Sequence, residues 1–297
     1  RETAATVGND ARLGSNEAPP AIISVFLGEQ LEDVIDQLCS TGLATHSIQG
    51  GILKTGVNTL PDFEKDATDR NRTSPFAFTN NKFEFRMLGS SESIASANVV
   101  LNTIVAESFK EAVDELEAAA DFEMTLHDYV KTTFAAHRRI IFNGNGYSKE
   151  WVEEAKRRGL PNIPSAVEAI SAIVSKKAIK LYEDFNVFTK AELEARLEIE
   201  YEAYSKAINI EAKTMLNMAG KSLLPAIMKY SGDLAKSIKA VRDLDLEVKP
   251  EEETKILEKI VKLHNLARES FHKLDAGVIL ICGAIPDRED PRDVLVS

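Results

Sequence analysis

Cysteine is almost missing from this chain. Only Cys39 and Cys282 occur in 297 residues, and they stand far apart. That excludes a disulfide framework and the close spacing of a thiolate metal site, and reduced, inert thiols are expected. Long apolar runs are missing as well: residues 21–27 and 277–282 fall well short of the roughly 18 apolar residues that suggest a membrane span. Basic charge is in deficit, with 36 Lys and Arg against 47 Asp and Glu and a formal net charge of −11. Such a balance argues against broad electrostatic affinity for nucleic acid or an anionic membrane. The expectation is a cytoplasmic protein with neither as a partner. An acidic protein that handles anionic substrates must instead concentrate its arginines locally.

Two short motifs do this. In NRTSPFAFTNNKFEFRMLGSS, residues 71–91, the stretch 82–87 alternates Lys82, Glu84 and Arg86 with Phe83, Phe85 and Met87. A strand sends alternate side chains to opposite faces, so Phe83 and Phe85 are expected in a core, opposite a face that carries Glu84 and Arg86. Periodicity alone leaves that charged face as either solvated edge or site. In GNDARLGSNEAPP, residues 8–20, Gly8, Gly14 and the Pro19–Pro20 pair exclude one continuous helix and predict a loop carrying Arg12 and Glu17. An arginine on a loop offers a planar fork of donors for carboxylate or phosphate, and a nearby glutamate can accept a proton or bind a cation. A local ion pair pinning the loop is the alternative.

Both motifs closely resemble the C-terminal part of the catalytic domain in type III glutamine synthetase, the long-subunit form of that enzyme. The resemblance implies ATP-dependent ligation of ammonia to glutamate through γ-glutamyl phosphate, with ATP and Mg²⁺ or Mn²⁺ as cofactors. It implies that Arg12 holds glutamate, and that Glu17 closes the site and accepts the ammonium proton. Arg72 would contact phosphate, Glu84 would be a ligand of one divalent metal, and Arg86 would sit near the phosphoryl group in transit. A homo-oligomeric ring using glutamate, ammonium and ATP is the implied assembly.

Three departures accompany the resemblance. No second arginine follows the Asn71–Arg72 pair, the interval from Glu17 to Asn71 is long as in the type III form, and Asn80 replaces an expected glycine, which asparagine's tolerance of left-handed backbone accommodates. The remaining metal carboxylates, the histidine ligand and the N-terminal β-grasp domain of the family have no counterpart in this sequence. With a start at Arg1-Glu2-Thr3, a C-terminal part of a longer subunit is expected, inactive on its own.

The implied fold class is α+β: residues 1–120 as a partial glutamine-synthetase catalytic domain of strands and helices, then residues 121–297 as a mostly α-helical bundle. Helices are predicted near 29–40, 98–119, 126–142, 165–185, from Thr189 onward, and over 250–277. Leu101, Ile104, Val105, Phe109, Val113 and Leu116 form one apolar stripe, and Leu193, Leu197, Tyr201, Tyr204, Ile208 and Met215 another. Thr189 with Glu192 spells a capping box, Pro225 is expected to end or kink a helix, and Pro250 before Glu251, Glu252 and Glu253 is a start signal. The stripes predict helix packing in a bundle. Gly144-Asn145-Gly146 reads as a turn, and His127, His137, His264 and His272 lack metal-ligand spacing. The alternative function class is a helical interaction or oligomerisation module without catalysis of its own.

Overall fold

Glycine and proline are about twice as dense in the first third of the chain as beyond it, and the architecture follows that change. The structure, a computed structural model, describes residues 2–15, 18–48, 52–53, 63–64, 71–79, 81–89, 92–244, 247 and 249–283. It divides into two compact units, Arg1–Leu197 and Glu198–Ser297.

The first unit is α+β. After the short helix α1 (Val7–Arg12) come β1 (Val25–Phe26), α2 (Glu29–Thr41), and a small antiparallel pair, β2 (Ile52–Leu53) with β3 (Phe63–Glu64). Strands β4 (Phe76–Thr79) and β5 (Lys82–Phe85) form a hairpin; β1 lies parallel to β4, giving the order β1-β4-β5. Helices α3 (Ala95–Glu117), α4 (Phe122–His137), α5 (Lys149–Arg157), α6 (Ala166–Ile170) and α7 (Lys176–Asp184) follow. Helix α8 (Lys190–Met218) starts in this unit and runs into the second, which continues with α9 (Leu224–Asp243) and α10 (Glu251–Gly283).

Several local expectations hold for stated reasons. Thr189 and Glu192 make the reciprocal bonds of a capping box, with Thr189 N donating to Glu192 Oε2 at 2.8 Å and Glu192 N to Thr189 Oγ1 at 3.3 Å. Glu251, Glu252 and Glu253 occupy the first turn of α10, where the helix dipole favours acids. Pro225 neither ends the helical path nor stands inside a regular helix. A π-helical turn, Ala219–Leu223, precedes it and places Pro225 in the first turn of α9, where its missing amide is tolerated.

Other expectations are corrected. The segment 8–20 is not all loop, because the Thr6 side chain caps α1 by accepting from Asn9 N, and Arg12 is that helix's last residue. The helix expected over 165–185 is broken by a 3₁₀ turn, Ser171–Val174, after which Ser175 caps α7 through its bond from Ala178 N. The stripe on α3 is not core: Val105, Phe109 and Val113 are exposed. On α8 the stripe is buried at Leu193 and Tyr201 but exposed at Ile208 and Met215.

Two apolar clusters flank the extended segment that leads into β1. Ala21 enters one with Ala4, Leu13 and Met87; the next residue, Ile22, enters the other with Trp151, Ala155 and Leu160. Alternate sides of an extended chain explain that split. Phe142 stacks on Trp151 with ring centroids 3.7 Å apart, and the Arg158 guanidinium lies over both rings. The chain entering the sheet is thereby fixed from both sides.

Candidate functional site

The hairpin register decides which side chains of β5 share a face. Glu84 pairs with Ala77 and Lys82 with Thr79, while Phe83 pairs with Phe78 and Phe85 with Phe76. Lys82 and Glu84 therefore stand on one side, and Arg86, next in the alternation, joins them. Arg86 Nε and Nη2 both donate to Glu84 Oε2, at 3.1 and 2.8 Å. Lys82 Nζ lies 3.5 Å from Glu84 Oε1, and Thr79 Oγ1 donates to the same oxygen at 3.4 Å. The aromatic face is real but only partly covered. Phe83 stacks on Phe76 at 5.2 Å and tilts against Phe78 at 5.3 Å, yet it remains 50% exposed, against the expectation of burial. It lies close to the hairpin tip on the edge strand of the described sheet, and it is Phe85, not Phe83, that packs against the Met87 cluster.

Arg86 also reaches the first residues of its own motif, because its Nη1 donates to the Asn71 carbonyl at 2.7 Å. Asn71 adopts a positive φ of 24°, unusual for a residue with a side chain. Its carboxamide oxygen accepts from Thr73 N at 3.1 Å and Thr73 Oγ1 at 2.6 Å, folding Asn71, Arg72 and Thr73 into a tight turn. Arg72 is exposed on that turn. Glu84, Arg86 and the Arg72 turn thus form one hydrogen-bonded group. Arg12 is exposed at the end of α1, and its connection is indirect: one turn earlier, buried Asn9 donates through Nδ2 to the Met87 and Ala4 carbonyls, both at 2.9 Å. Glu17 and Asn80 lie outside the described residues, as does the side chain of Cys282; Cys39 is a half-buried free thiol.

The Arg86 hydrogen bonds hold the Glu84 carboxyl below the usual glutamate value of 4.5, against a smaller opposing effect of desolvation, with Arg86 and Lys82 charges adding to the lowering. The pair therefore contributes stability above the carboxyl's unfolded pKa, and that contribution is lost as pH falls through the lower folded pKa. Carboxyl ¹³C NMR is expected to place the Glu84 midpoint below that of an ordinary glutamate, and Arg86→Met is expected to move it up. A wild-type midpoint at or above the ordinary value would contradict the pairing.

Among the described residues no group of three His, Cys, Asp or Glu side chains could hold a metal ion. Glu84 can offer one carboxylate, so the described residues do not by themselves compose the divalent-metal centre that the resemblance implies. His127 is engaged elsewhere, with its Nε2 against the Gly42 carbonyl. Among the described residues no helix is long and apolar enough to cross a membrane. Asn9, Asn143, Gly146 and Tyr147 emerge only from the structure as supports of the site. Of these, Gly146 carries a sequence signal as part of a turn, and Asn9 lies within the 8–20 motif without standing out in it.

Residues 125–242 match the glutamine synthetase C-terminal domain. The chain is 40% identical over 282 residues to the type-3 glutamine synthetase of Dictyostelium discoideum, covering 92% of this chain and 38% of that protein. It is 40% identical over 252 residues to a glutamine synthetase of Butyrivibrio fibrisolvens, covering 80% of this chain and 34% of that protein. A glutamine synthetase of Bacteroides fragilis (strain YCH46) is 35% identical over 287 residues, covering 95% of this chain and 38% of the relative. The chain belongs to the glutamine synthetases. Within them it belongs with the type III form, and it spans little more than a third of the length of these relatives.

Proposed function

We propose that this chain contributes part of the active site of a glutamate–ammonia ligase, which consumes ATP and forms glutamine through γ-glutamyl phosphate. In this reading residues 1–120 are the C-terminal portion of the catalytic domain and 121–297 a helical C-terminal region of a cytoplasmic enzyme. The observation that carries it is the placement of Arg86. One edge of its guanidinium is bonded to Glu84 and another donor is bonded to Asn71, so a carboxylate, an arginine and the turn that bears a second arginine are joined on one hairpin. Fixed arginines suit a reaction in which negative charge builds on a transferring phosphoryl group, because they need no reorganisation when that charge appears.

Within this proposal Arg12 binds the glutamate substrate, Arg72 the phosphates, and Arg86 the phosphoryl group in transit. Glu84 is the one metal ligand assigned to this chain, and Glu17 is the proton acceptor for ammonium. ATP and Mg²⁺ or Mn²⁺ are the proposed cofactors. The separation of roles is testable in the full-length enzyme. Arg12→Ala is expected to raise the KM for glutamate by about tenfold or more while changing that for ATP little; Arg72→Ala is expected to do the reverse. Unchanged steady-state constants in both variants would show that the wrong arginines were assigned.

A ring assembly is supported by a separate feature. Val105, Phe109 and Val113 lie exposed at successive turns of one face of α3, and Ile256 and Leu263 are exposed on α10. Apolar residues repeated along one helix face are the pattern of a contact surface. A helical interaction module is compatible with this in one and the same subunit.

A further inference from the structure

We propose that the turn at residues 143–147, which follows α4 in the helical part of the chain, is the positioning device for the phosphate-binding arginine Arg72. The inference rests on the proposed role of Arg72. It concerns Asn143, Gly146 and Tyr147, which neither of the two motifs includes.

Arg72 is itself exposed, whereas the backbone around it is pinned. Asn71 Nδ2 donates to the Gly144 carbonyl at 2.9 Å and to the Asn143 carbonyl at 3.3 Å. Gly146 N donates to Thr73 Oγ1 at 2.8 Å, and Tyr147 Oη donates to the carbonyl of Arg72 itself at 3.4 Å. Every residue of the Asn71-Arg72-Thr73 turn is therefore bonded to the 143–147 segment. The fit is close enough to require glycine: a Cβ on Gly146 would collide with the Thr73 carbonyl oxygen. Asn71 holds its positive φ within this same network, a backbone state that needs its surroundings to maintain it.

A clamp can position only if it is itself fixed. Asn143 Oδ1 accepts from Leu27 N at 3.0 Å and Gly28 N at 2.9 Å, and its Nδ2 donates to Glu32, which is ion-paired to Arg138 at 2.7 Å. Phe142 N donates to the Val25 carbonyl at 3.0 Å, and the Phe142 ring lies on buried Trp151. The turn is thus anchored to β1, to the start of α2 and to the Trp151 cluster. Through it the helical region, where the glutamine synthetase C-terminal domain is matched, sets where Arg72 stands. Ligand-binding groups gain most from supports of this kind, since a displacement of about 1 Å can cost on the order of a hundredfold in rate.

The test uses the full-length enzyme with Gly146→Ala, Thr73→Val, Thr73→Ser and Arg72→Ala, and compares kcat, KM for ATP, KM for glutamate and thermal midpoint. Gly146→Ala and Thr73→Val are expected to lower kcat/KM for ATP by about tenfold or more, with KM for glutamate within about twofold of wild type. Thr73→Ser, which keeps the hydroxyl, is expected to restore ATP use nearly to wild type. Should Gly146→Ala fail to fold, the Thr73 pair decides. Normal ATP kinetics in Thr73→Val beside impaired Arg72→Ala would overturn the clamp alone. A loss spread equally over ATP and glutamate, or one that Thr73→Ser shares, would also overturn it. A silent Arg72→Ala would overturn the site reading and the clamp with it.

Discussion

Replacing Glu84 by Gln in the full-length enzyme is expected to lower kcat by about a hundredfold or more, with little change in folding stability. The substitution preserves size, and Glu84 is partly exposed on the edge strand of the described sheet, so no apolar packing is lost. What disappears is a negative charge that accepts two bonds from Arg86 and faces Lys82. Arg86 would keep its bond to the Asn71 carbonyl but face a neutral amide in place of a carboxylate, and the proposed metal ligand would be neutral. In the proposed site both effects would remove charges that have to be in place before the reaction begins. Steady-state glutamine formation checks the expectation. A variant with wild-type kcat would remove Glu84 from the site.

The chain of 297 residues on its own, supplied with ATP, Mg²⁺ or Mn²⁺, glutamate and ammonium, is expected to form no glutamine above background. It spans 38% of the length of the Dictyostelium relative. Among its described residues no three candidate ligands gather at one place. A divalent ion among phosphates needs several oxygen ligands at once, and one carboxylate does not build that shell. Without it, the arginines meet a triphosphate whose reacting atoms are neither aligned nor neutralised. Glutamine formed by the purified chain, free of any host synthetase, would contradict the donor inventory and the proposed division of the active site.

Period-two alternation makes β5 legible in the sequence itself, because the pleat of a strand converts spacing directly into faces. The same spacing unites Glu84 with Arg86, but it does not reveal that Phe83 stays half exposed. Burial depends on what covers a strand, and the spacing within β5 carries nothing about its neighbours. The starts of α8 and α10 are equally legible, since the Thr189–Glu192 box and the Pro250–Glu251 signal act within one turn. The stripe on α3 is readable as a face but not as an exposed one, for the same reason as Phe83.

Long-range supports are invisible in the sequence. Asn9 meets Met87, and Asn143 meets Leu27 and Gly28, through single side chains whose partners lie far away along the chain. An isolated asparagine in such a segment has many local explanations, so nothing singles out either one. Gly146 reads as part of a turn, which it is; its need for a missing Cβ arises only because Thr73 folds against it. The arginines proposed for the site stand out through resemblance of whole motifs rather than through local physics, because exposed arginines such as Arg12 and Arg72 have no periodic signature.

The most direct measurement is a double-mutant cycle in the full-length enzyme, with kcat/KM for glutamine formation determined for wild type, Glu84→Gln, Arg86→Gln and the double variant. Groups that act as one unit are strongly non-additive. Each single variant is therefore predicted to lose about a hundredfold or more, and the double variant no more than the worse of the two. Wild-type kinetics in all three variants, or independent losses that multiply in the double variant, would contradict the claim that the Glu84–Arg86 pair is a working part of a ligase active site.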